Sequence, residues 1–238
     1  MSDIYVMNIK QIEVLHIVLP LKEEYELDKD ERFWDKQAKD FINHEEHTQL
    51  DKNKDFITTL KYLDKNDTVL DYGCATGIIS NAISDRVKEI YAIDISSKMI
   101  EIARNKAEKM YIDNINYAHT TIFDERFNDE SFNIILAFRI LHMLDDIDMV
   151  VSRIHSLLKP GGTFISVSAC MGDKISLLSI LVYLASKLKI VPQHVNLFKL
   201  PELQSIITNA GFHIIEYEKM DDNVPHYCVV ARKMPDKT

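Results

Sequence analysis

The chain has 238 residues, 46% of them hydrophobic, and a formal net charge of −9. That length suits one large α/β domain, or such a domain with a helical appendage. The acidic balance, with no long Lys/Arg run, excludes a protein built for non-specific binding to nucleic acid.

Three widely spaced cysteines, Cys74, Cys170 and Cys228, show neither metal-ligand spacing nor a disulfide framework, so free thiols in a reducing compartment are expected. The opening stretch MSDIYVMNIKQIEVLHIVLP has no basic leader, and Asn8, Lys10, Gln11 and Glu13 break its apolar run. It reads as neither a signal peptide nor a membrane span, and a cytoplasmic location is expected. Over residues 1–27 helical spacing (Ile9, Ile12, His16) competes with β-branched composition, and both readings stay open. In DKDERFWDKQAKDFINH the pairs Phe33/Trp34, Gln37/Ala38 and Phe41/Ile42 recur at helical steps. A second helix is expected from roughly Lys52 to Leu63, with Phe56, Leu60 and Leu63 on one face. Between the two, His44-Glu45-Glu46-His47 has an i, i+3 histidine pair but is not H-E-x-x-H and lacks a third ligand. It reads as a solvated helix face, and no metal is expected.

The pattern then alternates. Strands are expected at Thr68–Tyr72, Glu89–Ile93 (ending at Asp94), Ile115–Ala118, Phe132–Phe138 and Thr163–Ala169. Helices are expected at Ile78–Ser84, from Ser96 as N-cap to about Met110, and from Asp145 or Asp146 to Leu158. KPGG before Thr163 reads as a turn. The run FNIILAF suits a central strand buried on both faces. A strongly apolar helix is expected at 175–190, too short to span a membrane and carrying Lys187 and Lys189. A helix at Leu203–Asn209 closes at Gly211, and two strands, Phe212–Tyr217 and Tyr227–Ala231, follow with no helix between them, so they pair antiparallel. The expected fold is α/β: a doubly wound, seven-stranded, mostly parallel sheet with an antiparallel last strand, helices on both faces, and an N-terminal helical extension.

TVLDYGCATGIIS, residues 68–80, carries the functional signal. The chain has only six glycines, yet Gly73 and Gly77 sit four apart, between the first strand and its helix. Ligands of such sheets bind at the carboxyl ends of the strands. The second strand ends in Asp94, whose carboxylate can accept hydrogen bonds from the vicinal hydroxyls of a ribose. A loop and an acid in this arrangement read as an adenosine site. A nicotinamide dinucleotide needs a pyrophosphate cradle, usually G-x-G-x-x-G. Here the loop is G-x-x-x-G, and Asp71 precedes its first glycine by two residues. A carboxylate there repels pyrophosphate and attracts a cationic amino-acid moiety, so the electrostatics favour S-adenosylmethionine.

These segments resemble the class I (Rossmann-like) S-adenosylmethionine-dependent methyltransferases of small-molecule type. VLDYGCATG matches that family's first motif and YAIDIS its second; FNDESFNIILAFRILHML resembles the segment around its fourth strand, and LLKPGG with TFISVS its fifth. The resemblance covers about residues 52–233. It implies that Asp71, Gly73 and Gly77 line the methionine part of the cofactor, with Cys74 and Ala75 supplying backbone. By the same resemblance Asp94 holds the ribose, and Ile95 and Met99 pack on adenine. Thr121 and Ile122 stand where the family often grips the adenine amino group with an acid, and Ala137 and Phe138 lie near the methyl sulfonium. Residues 1–51 become an extension with a lid helix, 52–238 the cofactor-binding domain, and about 173–200 a helical lid insertion.

Transfer from a sulfonium needs a general base only when the acceptor is protonated, so catalytic side chains are poorly marked. Trp34, Arg139 and His142 are substrate-side candidates, His142 also as a base, against the reading that His142 merely packs beneath the site. The 175–190 segment reads as a lid helix, a dimer face, or a surface for a lipid-like substrate or a membrane. LAFRIL lacks the Asn/Asp-Pro-Pro-aromatic motif of nucleic-acid amino-methylating relatives and the paired glutamates of arginine methyltransferases. VSACMG lacks the carboxylates of metal-dependent catechol-type enzymes. A small molecule methylated at O, N or C remains, with S-adenosylhomocysteine as the second product. The alternatives are a non-catalytic protein binding the same cofactor and a nicotinamide-dependent oxidoreductase.

Overall fold

The computed structural model describes residues 29–41, 53–172, 195–220 and 225–235. The expectations for residues 1–27, for the His44/His47 pair and for the 175–190 helix lie outside that set. Residues 29–41 form a helix, α1. Next come α2 (Lys54–Leu60), β1 (Thr68–Tyr72), α3 (Ile78–Ile83), β2 (Glu89–Asp94), α4 (Ser97–Lys109), β3 (Ile115–His119) and β4 (Phe132–Phe138). They are followed by α5 (Ile147–Leu157), β5 (Leu158–Ala169), α6 (Leu200–Asn209), β6 (Phe212–Lys219) and β7 (His226–Lys233). Single 3-10 turns at Ser84–Arg86 and Leu141–Met143 complete the described elements.

The seven strands form one sheet in the order β3-β2-β1-β4-β5-β7-β6. β1 pairs parallel with β2 and β4, β2 with β3, and β4 with β5. β7 runs antiparallel to both β5 and β6, and β6 touches the sheet only through β7. Alternate strand side chains point to opposite faces, and two buried clusters result. Leu70, Ile135 and Phe164 pack with Val150, Ile154 and Leu157 of α5 and Leu203 and Ile207 of α6. Val69, Ile134, Leu136 and Ile165 face the other way, against Ile100, Ala103 and Ala107 of α4. With both faces covered, strands such as FNIILAF carry apolar residues at nearly every position.

Local signals act where the sequence places them. The Ser96 hydroxyl accepts from the Met99 amide at 3.1 Å, and Asp146 accepts from Met149 at 2.9 Å, so each caps its helix. One expectation is corrected. KPGG is not a free turn before the fifth strand but an irregular part of it. β5 starts at Leu158, opposite Phe132, and the ladder resumes only at Thr163 opposite Ile134. Lys159 to Gly162 therefore face a single residue, Asn133, whose side-chain oxygen accepts from Lys159 Nζ and from the Thr68 amide. The second helix is also shorter than expected, ending at Leu60 with two turn residues after it.

Gly77 joins the first strand's loop to the packing of α3. Its φ is +77°, and a Cβ there would lie 2.4 Å from Tyr117 Oη and 2.9 Å from Ala103 Cβ. Tyr117 is held in place by donating to Asn81 Oδ1 at 3.0 Å. Gly77→Ala is therefore expected to destabilise the fold: left-handed backbone alone costs a non-glycine residue about 1–2 kcal/mol. Denaturant unfolding, with a lower midpoint and unchanged slope, is the check.

Candidate active site

The strand order reverses between β1 and β4, and at such a switch point the loops leaving adjacent strands diverge and open a crevice. A cavity of about 530 Å³ lies there. The end of β1 contributes Asp71, Tyr72, Gly73, Cys74 and Ala75, and the first turn of α3 adds Ile78 and Ile79. Asp94, Ile95 and Met99 come from β2 and α4; Phe138, Arg139 and Ile140 follow β4, with Met143 and Leu144 beyond them. Asp30, Trp34 and Phe41 reach in from α1, and Asn53 and Asp55 from the start of α2. A second cavity of about 560 Å³ lies against α4 and β3, lined by Arg104, Glu108 and Arg126 among others. None of its lining residues belongs to the glycine loop or to β1, β4 or β5.

The loop's backbone turns left-handed where it meets the cavity, without cost at Gly73 and against preference at Ala75. Gly73 has φ +77° and Ala75, a non-glycine, has φ +47°. Such conformations persist only when their surroundings hold them, and here the holding bonds are visible. The amides of Gly73 and Cys74 both donate to Ile93 O, at 2.9 and 3.0 Å, and Gly77 donates to Cys74 O at 2.9 Å. The Ala75 amide donates to Asp94 Oδ2 at 3.0 Å. The amides of Gly73, Cys74, Ala75 and Gly77 are thus spent on the chain itself rather than presented as a cradle of N–H groups for phosphate.

Asp71 is 3% exposed and accepts from Ser80 Oγ at 2.5 Å. Burial pushes its carboxyl up to about 6; the Ser80 hydroxyl opposes this and the Asp94 charge reinforces it. Asp94 also sits above its ordinary value through burial, restrained by the Ser96 and Ala75 amides and by His119. The Cys74 thiol is driven well upward by burial and by both aspartates, so it stays protonated and is no nucleophile. Arg139, at φ +57°, donates from its guanidinium to the buried carboxylate of Asp55, and its amide donates to Val167 O at 2.6 Å. Four carboxylates against one guanidinium make this an acidic cavity.

Of the residues expected at the site, Asp71, Gly73, Cys74, Ala75, Asp94, Ile95, Met99, Phe138, Trp34 and Arg139 line the cavity. Five do not. Gly77 turns its backbone toward Tyr117 and α4. Ala137 and Ile122 are fully buried in the core; in a strand only every second residue faces a given side, and Phe138 takes the cavity position. Thr121 lies off the wall, its hydroxyl accepting from the Phe123 amide at 3.3 Å. His142 is corrected from candidate base to packing residue: the 3-10 turn carries it inward, 6% exposed, beside His226 at 6.4 Å. Its Nδ1 has no partner, and burial, then His226 and Arg139, push its pKa down to about 4. Asp30, Phe41, Asn53, Asp55, Tyr72 and the apolar Ile78, Ile79, Ile140, Met143 and Leu144 were not expected. Among the described residues no cluster of three or more His, Cys, Asp or Glu is placed to hold a metal.

A family model described as "Methyltransferase domain" matches residues 63–221, most of the chain and every element that builds the crevice floor. The chain belongs to the methyltransferase domain family. A ubiquinone biosynthesis O-methyltransferase of Coxiella burnetii is 32% identical over 108 residues, 43% of this chain and 46% of that protein. The chain thus spans about half the length of the curated relatives it matches. Among solved structures, the YcgJ protein of Bacillus subtilis superposes with a TM-score of 0.63 at 17% identity, over 77% of this chain and 99% of that one. A Haemonchus contortus phosphoethanolamine N-methyltransferase 2, solved with phosphomonomethylethanolamine and S-adenosylhomocysteine, gives 0.66 at 18% identity, over 78% and 53%. At those identities the likeness is one of fold, the methyltransferase fold with β7 inserted between β5 and β6. No helix among the described residues is long and apolar enough to cross a membrane.

Proposed function

We propose that this methyltransferase-family chain binds S-adenosylmethionine in the 530 Å³ cavity and transfers its methyl group to a small molecule. The observation that carries the reading is the glycine loop: its amides are used internally, a buried carboxylate lies beneath it, and Asp94 stands beside it. That donor set suits a ligand with a cationic amino-acid end and a ribose, and it is wrong for a pyrophosphate. Asp71, Gly73, Cys74 and Ala75 hold the amino-acid end. Asp94 accepts from the ribose hydroxyls with the lone pairs that Ala75 and Ser96 leave open, and Ile95 and Met99 pack on adenine. When bound, the cofactor supplies an activated methyl carbon.

The chain's own part is positioning and exclusion of water. Phe138, Ile140, Met143 and Leu144 form an apolar wall on the acceptor side, and Trp34 and Phe41 close the cavity from α1. The Asp55–Arg139 pair is the polar feature of that half, with the Arg139 side chain 48% exposed. With residues 1–51 as an extension and 52–238 as the catalytic domain, the acceptor meets the cofactor under α1. Net charge −9 and the acidic cavity fit a small acceptor rather than nucleic acid. Three free, buried cysteines fit a reducing, cytoplasmic setting.

Calorimetric titration of S-adenosylhomocysteine, with NAD as control ligand, tests the cofactor. Saturable binding of the first and none of the second is expected; preference for NAD overturns the reading. Transfer of labelled methyl into a metabolite extract then separates an enzyme from a non-catalytic binder.

A further inference from the structure

α1 is joined to the crevice by two adjacent stripes of its surface. Asp30, Trp34 and Phe41 line the cavity, and the Trp34 and Phe41 rings meet edge to face at 6.3 Å. Beside them, one turn apart, Asp35 grips the segment that follows Asp94 and Glu31 meets His119 at the end of β3. Ser96 Oγ donates to Asp35 Oδ1 at 2.6 Å, and the Lys98 amide donates to the same oxygen at 3.2 Å. Ser96 is fully buried and already engaged on both sides: its hydroxyl caps α4 by accepting from Met99, and its amide donates to Asp94 Oδ1 at 2.8 Å. A continuous line of hydrogen bonds therefore runs from Asp35 on α1 through Ser96 to Asp94. One turn away, His119 Nε2 lies 3.2 Å from Glu31 Oε1 and 2.9 Å from Ile95 O, so a proton on that nitrogen tethers α1 to the cavity residue Ile95.

The α4 end of this contact is favourable on its own terms. A carboxylate over the first turn of a 13-residue helix meets unpaired amides and the positive end of the helix dipole. On the α1 side Ala38 is buried, 2% exposed. The two carboxylates flank Trp34 in the helix and so help to hold it over the cavity.

We propose that Asp35 is a positioning residue that latches α1 over the cofactor and orders Asp94 through Ser96, with Glu31–His119 as the second clasp. The proposal rests on the cavity holding the adenosyl cofactor. A ligand under Trp34 leaves only when the latch opens, so Asp35 governs the dissociation rate, while residues that touch the ligand govern its intrinsic fit.

Trp34 is the only tryptophan in the chain and lines the cavity, so its fluorescence reports the roof directly. Stopped-flow displacement of S-adenosylhomocysteine from Asp35→Ala is expected to show dissociation accelerated at least about tenfold, the loss of one to two hydrogen bonds to a charged group, with a smaller Trp34 signal. Asp35→Asn keeps an acceptor for Ser96 and Lys98 and is expected to restore most of the slow dissociation. Dissociation at the wild-type rate in Asp35→Ala, with the full Trp34 signal, overturns the latch; so does equal impairment of Asp35→Ala and Asp35→Asn with a lowered melting temperature, the mark of a merely structural role. Hydrogen exchange in the ligand-free protein reads the latch without the cofactor: amides of residues 33–41 exchange faster in Asp35→Ala. If the wild-type protein ignores S-adenosylhomocysteine while this exchange difference appears, the cofactor assignment fails and the latch stands. Unchanged exchange overturns the latch whatever the ligand does.

Discussion

Asp94→Ala is expected to weaken binding of S-adenosylhomocysteine roughly 10- to 100-fold, since hydrogen bonds to a charged group contribute about 1.5–3 kcal/mol. The carboxylate has two tasks in the structure. It accepts from the Ala75 and Ser96 amides, and so holds the left-handed loop and the start of α4 in register. It also presents its remaining lone pairs to the cavity, where two vicinal hydroxyls would reach them. Asp94→Asn retains one acceptor oxygen and is expected to lose less. Calorimetry on both variants, with unfolding curves to show that each is folded, checks the assignment. Wild-type affinity in a folded Asp94→Ala protein removes Asp94 from the ribose site.

Affinity for the same ligand is expected to rise with pH and to level off near neutrality. Asp71 titrates at about 6 in the folded protein, above its ordinary value of 3.8, because burial penalises its charge. Between those two values the folded chain holds a proton that the unfolded chain has released. This group's contribution to stability is therefore complete below about pH 4 and lost as pH rises through about 6. A ligand whose α-ammonium group lies against Asp71 reverses the preference, because that group favours the ionised carboxylate. If only ionised Asp71 binds, affinity drops about tenfold for each pH unit below 6. Asp94, also shifted upward, bends the profile the same way. Calorimetry in two buffers of different ionisation enthalpy is expected to show proton release on binding near pH 6. Asp71→Asn is expected to bind weakly with a flattened profile; a steep profile in that variant would assign the titration elsewhere.

The order of strands and helices was legible because the central strands are short apolar runs, the first two closed by Gly73 and Asp94, and because helix starts carry Ser96 and Asp146. The loop side of the crevice was legible too. Gly73, Asp71 and Asp94 sit at fixed offsets from strand ends, and the backbone alone places them. The roof and the far wall were not. Asp55 meets Arg139 across 84 residues of sequence, and nothing near KDFITTL says that its carboxylate is buried. Phe41 and Asp30 enter through the docking of α1, which depends on Asp35 finding Ser96. His142 lies in the right segment, but the sequence does not say that the short turn after β4 carries its ring inward, where it is 6% exposed. KPGG was misread because a proline and two glycines look like a turn whether or not the residues flanking them are paired; here Leu158 pairs and the ladder skips over the intruding residues.

The place of β7 between β5 and β6 has a consequence for how the sheet is protected. β6 precedes β7 in the chain and has no other neighbour among the described strands, so until β7 docks it is unpaired, and afterwards it borders the described sheet. Borders of this kind recruit foreign strands unless charge discourages them. Along FHIIEYEK only Phe212 is buried, and Glu216, Glu218 and Lys219 interrupt what would otherwise be an adhesive run. Two of these acids are met at 3.4 and 3.3 Å by Lys61 and Lys54, from α2 and the turn after it. The same charges that look like ordinary surface decoration are a guard against self-association at a strand that waits for its single partner.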